Sequence, residues 1–188
     1  DQRRHDKLAA YSKTVPDDWL HEISDNNAVT MCGQSVASDA FFLPQAGWVD
    51  PRALVAALID HPLITLTSHT EVTRLSLASN DVWRVQLNTG ETLLSSHVVL
   101  TTAFDELSSQ VLGVDRARGQ LSFLPERVDK KLRSIVCRDG YVTPAINGVH
   151  TIGATIQYED DDGNARQADD LENFHRLQRL IPDFASEP

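Results

Sequence analysis

Residues 136–155, VCRDGYVTPAINGVHTIGAT, restrict what this chain can become more tightly than any other stretch. An apolar pair leads to a turn at Asp139-Gly140, a short strand runs through Tyr141, Val142 and Thr143, and Pro144 closes it. Asn147-Gly148 supplies a second tight turn, and residues 149–155 return as the partner strand. Both central residues of such a turn must tolerate positive φ, which Asn and Gly do, so the pair predicts a β-hairpin. Tyr141 stands where a strand can present a phenol to a cleft, or pack it in a core with its hydroxyl satisfied locally. The sequence leaves both readings open.

The rest of the pattern predicts a sheet-rich α+β fold, mostly antiparallel with flanking helices. Residues 71–77 (EVTRLSL) and 82–87 (VWRVQL) alternate apolar and polar across Ser79-Asn80-Asp81, as a half-buried hairpin does. A further strand is expected at 92–94. Residues 97–100 (HVVL) should form an apolar strand running into Thr101, Thr102 and Ala103, beside a cofactor or at an ordinary loop. Shorter strands are expected at 29–32, 40–43 and 64–66, and a longer one at 118–124, closed by Pro125. Asp50 before Pro51 is the clearest helix start, with Leu54, Ala57 and Leu58 as a buried stripe and His61-Pro62 as the stop. Gly47, just ahead of it, implies a close backbone approach to a ligand or a neighbouring strand. A last helix is expected from about Asp169, with a cap-like Asp169–Glu172 spacing, apolar Leu171, Phe174, Leu177 and Ile181, and Pro182 as its end. Residues 1–28 read as short helical pieces, with Leu8, Ala9 and Tyr11 on one face of the first and Pro16-Asp17-Asp18 opening the second. Residues 108–117 read as irregular. The absence of a start signal in the opening residues suggests a piece of something longer.

Composition narrows the chemistry. The 188 residues suffice for one sizeable core, with or without a subdomain. No apolar run approaches the roughly 20 residues that cross a bilayer, so no membrane association is expected. Two cysteines, Cys32 and Cys137, make no disulfide framework, and a reduced, cytosolic setting is the expectation. A formal charge of −10 argues against a general polyanion binder. Residues 116–138 nonetheless hold seven basic residues against two acidic ones, an island suited to a phosphate backbone or to a solvated loop. No two of the nine glycines stand two apart, so no G-x-G dinucleotide turn is present, and no glycine is followed by lysine as a P-loop requires. Zinc-ligand spacings and the G-x-S-x-G elbow are missing as well, and no metal is expected. The acidic run 159–164 (EDDDGN) has its glycine too early for a calcium loop and reads as a solvated turn. Cys137 and His150 are candidates for a thiol–imidazole pair, against the plainer reading of a structural cysteine. On residue chemistry alone no complete catalytic site is visible.

Three motifs taken together carry a resemblance. FLPQAGWVDPRAL (42–54), RGQLSFLP (118–125) and CRDGYVTP with HTIGAT (137–144 and 150–155) resemble, in that order and spacing, the flavin-dependent oxidase half of the MnmC family of tRNA-modifying proteins, within the D-amino-acid/glycine oxidase superfamily. The resemblance spans nearly the whole chain from about residue 40 to 182. It implies the substrate-domain portion of that fold, an FAD cofactor and a tRNA substrate. The implied reaction removes a carboxymethyl group from the modified wobble uridine by amine oxidation and imine hydrolysis. It further implies a substrate-facing part at about 1–66 and 104–188, and strands of the FAD side at about 67–103. Gly47, Trp48, Val72, Thr101, Thr102 and Ala103 match positions near the cofactor, and Arg118, Gln120 and Tyr141 match positions facing substrate. The family's glycine-rich FAD fingerprint and its closing C-terminal segment have no counterpart in these residues, so weak or absent FAD binding and no activity are expected of the chain alone. A free amino acid oxidase of the glycine or sarcosine type, and a non-catalytic RNA- or protein-binding module, are the competing readings.

Overall fold

The computed structural model describes residues 2–78, 81–103 and 116–185. In chain order the elements are α1 (Gln2–Ser12), β1 (His21–Ile23), α2 (Asp25–Cys32), β2 (Ala40–Phe42), α3 (Pro51–Ile59), β3 (Val72–Leu77), β4 (Trp83–Leu87), β5 (Thr92–Ser95), β6 (Ala117–Pro125), β7 (Val136–Cys137), β8 (Tyr141–Val142), β9 (Val149–Tyr158) and α4 (Gln167–Leu180). They form two compact units, one made of Asp1–Trp48 with Ala117–Pro188 and the other of Val49–Arg116. Among the described residues every strand pair is antiparallel.

The first unit is built on a four-stranded sheet of order β6-β9-β8-β7, with α4 against one face. Its hairpin is the expected one: Asn147 and Gly148 take φ of 51° and 77°, and Ile146 and Val149 exchange backbone hydrogen bonds of 3.0 and 3.1 Å. Residues opposite one another in such a ladder share a face. Arg118 pairs with Gln157, Gln120 with Thr155, Ser122 with Ile152 and Val142 with Ile152, and these turn toward α4. Gly119 pairs with Ile156, Leu121 with Gly153, Phe123 with Thr151 and Tyr141 with Gly153, and these form the opposite face. Ala154 is the extra residue of a bulge where the β6–β9 register shifts. Val142, Ile152, Leu177, Leu180, Ile181 and Phe184 close the core with Cys32 and Leu132. β1 and β2 make a separate two-stranded ribbon.

The second unit is a three-stranded meander, β3-β4-β5, preceded by α3. The β3–β4 hairpin forms as the alternation predicts, with Ala78 N–H donating to the Val82 carbonyl at 2.7 Å; Ser79 and Asn80 lie outside the described residues. Asp50 caps α3 as expected, its Oδ1 accepting from Arg52 N–H at 2.8 Å and Ala53 N–H at 3.4 Å.

Several expectations are corrected. Residues 29–32 are the end of α2, not a strand: Asp25 suits its first turn, and Gly33 ends it in the left-handed region at φ 84°. That frame overrides the β-branched Val29 and Thr30, and Thr30 Oγ1 turns back to donate to the Asn26 carbonyl at 2.9 Å. Pro16 opens a turn, not a helix, and the chain passes straight into β1. Residues 97–100 join no ladder among the described residues. Ser95 Oγ donates to the His97 carbonyl at 2.7 Å and accepts from His97 N–H at 3.3 Å, which folds the chain away from β4. Residues 64–66 follow a turn closed by Ile64 N–H on the His61 carbonyl and pair with no strand among the described residues. The apolar stripe of α3 is not buried: Leu54 and Leu58 are 42% and 65% exposed, because no described element covers that face. α4 begins at Gln167 with Arg166 at its N-cap, and Leu171 stays exposed while Phe174, Leu177 and Ile181 are buried. Of the stretch expected to be irregular, residues 108–115 lie outside the described residues, and Ala117 opens β6.

Candidate functional site

The two faces of the four-stranded sheet separate the residues expected to meet substrate. Arg118 and Gln120 point toward α4, and their polar atoms are taken up there. Arg118 pairs with Asp169 at 2.6 Å, both side chains being almost wholly buried. It also donates to the Asp162 and Asn164 carbonyls and to Gln120 Oε1. Gln120 Oε1 accepts further from Arg166 N–H, and its Nε2 donates to the Arg166 carbonyl and to Asp170. Ser122 and Asn173 complete the network, Asn173 Nδ2 donating to the Gln120 carbonyl and to Ser122 Oγ at 3.0 Å each. The acidic run 159–164 is therefore not a merely solvated turn. Asp160 and Asp162 grip Arg166, and Arg118 ties two of the run's carbonyls to β6. The Arg118 guanidinium holds the Asp169 carboxyl below its usual range, and Arg166 does the same for Asp160. Asp162 falls to about 2, through the Asn164 N–H first and then Arg166.

Tyr141 lies on the other face, half-buried, and its hydroxyl makes no hydrogen bond among the described residues. Around it the register sets Gly119, Leu121, Phe123, Thr151 and Ile156. Leu121, Phe123 and Ile156 are 43%, 66% and 61% exposed, a contiguous apolar surface of the kind that marks a ligand or partner site. So the structure places one of the three expected substrate residues on an open surface and turns the other two to its supporting side. Along β6 the even positions, polar at 118, 120 and 122, are covered and the odd ones are open, the reverse of what an apolar-in alternation suggests. Asn173, Ser122 and Asp170 were missed by sequence reasoning. A polar Asn on the buried face of an amphipathic helix was the available sign.

The residues expected near a cofactor fall in both units. Gly47 and Trp48 lie in exposed coil after β2, and a Cβ added to Gly47 would meet nothing within 4 Å among the described residues. None of them makes the close approach inferred for that glycine. Val72 opens β3 opposite Leu87 and is 38% exposed. Thr101, Thr102 and Ala103 are exposed coil, Ala103 at φ 52°.

The Cys137–His150 pairing is not formed. His150 is buried on the α4 face, with Nδ1 2.8 Å from the Thr143 carbonyl and its ring edge-on to Phe184, whereas Cys137 is exposed. Partial burial pushes the Cys137 thiol up, away from a reactive thiolate. A cavity of about 600 Å³ opens between α1, α2, β2 and β7, lined by Leu8, Met31, Phe41, Phe42 and Val136 with Arg4 and Arg138 at its polar edge. Cys137, a thiol–imidazole candidate, lines it too, and none of the residues expected to meet substrate or cofactor does. Among the described residues there is no group of three or more metal-ligating side chains, and no helix is long and apolar enough to cross a membrane.

The chain is 34% identical over 186 residues to the tRNA 5-methylaminomethyl-2-thiouridine biosynthesis bifunctional protein MnmC of Ectopseudomonas mendocina, covering 97% of this chain and 28% of that protein. It is 34% identical to the protein of the same name from Methylobacillus flagellatus, with 97% of this chain and 29% of that protein covered. The chain thus spans under a third of the length of these relatives. Among solved structures, glycine oxidase from Geobacillus kaustophilus superposes with a TM-score of 0.79 at 19% identity, covering 98% of this chain and 53% of that one. Glycine oxidase from Bacillus cereus gives 0.75 at 17% identity. These two likenesses establish a glycine-oxidase-type fold. The family described as FAD dependent oxidoreductase matches residues 3–187, and the chain belongs to that family.

Proposed function

We propose that this chain is the substrate-facing portion of an FAD-dependent oxidoreductase that removes the carboxymethyl group from carboxymethylaminomethyl-(2-thio)uridine at the tRNA wobble position. The observation that supports this reading is that the similarity to tRNA biosynthesis proteins runs through 97% of the chain, although it covers only 28% of the relative. When bound, FAD supplies the hydride acceptor for the carbon next to the amine nitrogen. With loss of the nitrogen's proton the C–N bond becomes an imine. Water adds, the C–N bond breaks, and glyoxylate leaves the aminomethyl base. A cytosolic setting belongs to the same reading.

The residues present fit part of the cofactor. The open apolar face around Leu121, Phe123 and Ile156 suits a flat ring. The sequence holds no glycine-rich strand-to-helix turn for a pyrophosphate, and Gly47 and Trp48 stand in exposed coil. In this proposal Tyr141 donates its phenol to the substrate carboxylate, while Arg118 and Gln120 act from behind, fixing β6 on α4. Val72 and residues 101–103 belong to the FAD side, within the strand region 67–103. On its own the chain should bind FAD weakly or not at all and be inactive. A purified sample with stoichiometric flavin absorbance contradicts that.

The decisive assay gives the full-length, FAD-loaded protein two substrates. Tracked by mass, tRNA carrying the carboxymethylaminomethyl base should lose its carboxymethyl group with one glyoxylate released per base. Oxidation of sarcosine or glycine with the tRNA untouched would assign the chain to a free amino acid oxidase instead.

A further inference from the structure

The loop between β6 and β7, residues 126–135, presents cations that the rest of the fold does not consume. Arg118, just before it, is buried against Asp169. Arg127 turns back onto Asp129 at 2.9 Å, and Arg138 donates to the Arg179 carbonyl at 3.1 Å. Arg133 leans toward the end of α2, its Nη1 3.4 Å from the Thr30 carbonyl. Lys130 and Lys131 enter no ion pair among the described residues.

These two lysines sit on an anchored loop. Leu132 is 7% exposed and belongs to the core. The Lys131 carbonyl accepts from Gln34 Nε2 at 3.1 Å, and Arg133 N–H donates to the Cys32 carbonyl at 2.8 Å. Gly33 permits that approach, since a Cβ there would stand 2.7 Å from the Lys131 oxygen. With Leu132 held inward, Lys131 and Arg133 beside it are exposed, and Lys130 is half-buried. The acids on the loop are Glu126 and Asp129, and Asp129 is already paired with Arg127.

The geometry points to residues 127–133 as a docking surface for an RNA phosphate backbone, led by Lys130 and Lys131. In a chain of net charge −10 a polyanion is repelled over most of the surface, so two lysines outside any ion pair, on an anchored stretch of backbone, favour its approach there. The inference rests on the tRNA reading above and specifies where that tRNA is held. Phosphate contacts position a substrate without reading its sequence, so the surface should serve any tRNA alike.

The test compares full-length parent with Lys130→Glu/Lys131→Glu, measuring tRNA binding over a salt series and turnover of tRNA and of a small secondary amine separately. The expected result is an affinity for tRNA lower by on the order of tenfold, with a salt dependence shallower by about one unit for each phosphate no longer neutralised. Small-amine turnover should be unchanged, and Lys130→Arg/Lys131→Arg should keep parental binding. Equal tRNA affinity and salt slope in the Glu variant and parent overturn this surface while leaving the functional reading intact. If the parent binds tRNA through these lysines yet never oxidises it, the surface stands and the functional reading falls. If the parent does not bind tRNA, or polyglutamate competes as well as tRNA does, the assignment to RNA is overturned.

Discussion

Gly33 shows how one residue fixes more than its own turn. It ends α2 at φ 84°, and the Lys131 carbonyl occupies the space a Cβ would need. Gly33→Ala must therefore strain the backbone and push back the 126–135 loop together. A loss of about 1–3 kcal/mol is expected, read as a lower urea midpoint; an unchanged midpoint contradicts the close approach. The carboxylates of the α4 entry make a pH prediction at the same scale. Asp160, Asp162 and Asp169 all titrate below their ordinary 3.8 in the folded chain, Asp162 at about 2. The unfolded chain then takes up protons first on acidification. Their stabilisation is full above about pH 5 and fades as pH falls through the ordinary 3.8 toward 2. Urea midpoints at pH 5, 4 and 3 should drop more over the lower interval than over the upper one. In Arg166→Met that drop should shrink, since Asp160 and Asp162 lose their shared partner. None of this was legible in advance, because EDDDGN looks the same whether water or two arginines surround it.

At the scale of elements, local signals succeeded wherever local chemistry decides. Asn147-Gly148 and Asp50-Pro51 each dictate a backbone conformation by themselves, and both formed as read. The strands expected at 29–32, 64–66 and 97–100 failed for a shared reason: an apolar run becomes a strand only when a partner edge lies beside it. Val29 and Thr30 were captured by a capped helix, and Ser95 turned residues 97–100 out of register. The apolar stripe of α3 is a similar case, since periodicity describes a face and cannot say what covers it. This gives a further prediction. Asp50→Ala should cost α3 about 1 kcal/mol of local stability. Because α3 contains no buried residue, amide exchange should quicken in residues 51–59 and leave α4 unaffected. Equal quickening in both helices would mean that α3 is coupled to the core.

For the molecule as a whole, the fold class was readable from patterning, and the cofactor family from three motifs. Which side of the sheet does chemistry was not, because Arg118, Gln120 and Tyr141 are alike in polarity and only the register sets them back to back. The account's central claim is that the open face serves the substrate and the α4 face serves stability. Steady-state kinetics of the full-length protein on modified tRNA, with paired variants, tests it most directly. Tyr141→Phe should raise KM with little change in urea midpoint, and Asn173→Ala should lower stability by about 1–3 kcal/mol with KM unchanged. The reverse assignment, with Asn173→Ala altering KM at full stability and Tyr141→Phe silent in catalysis, would contradict the account.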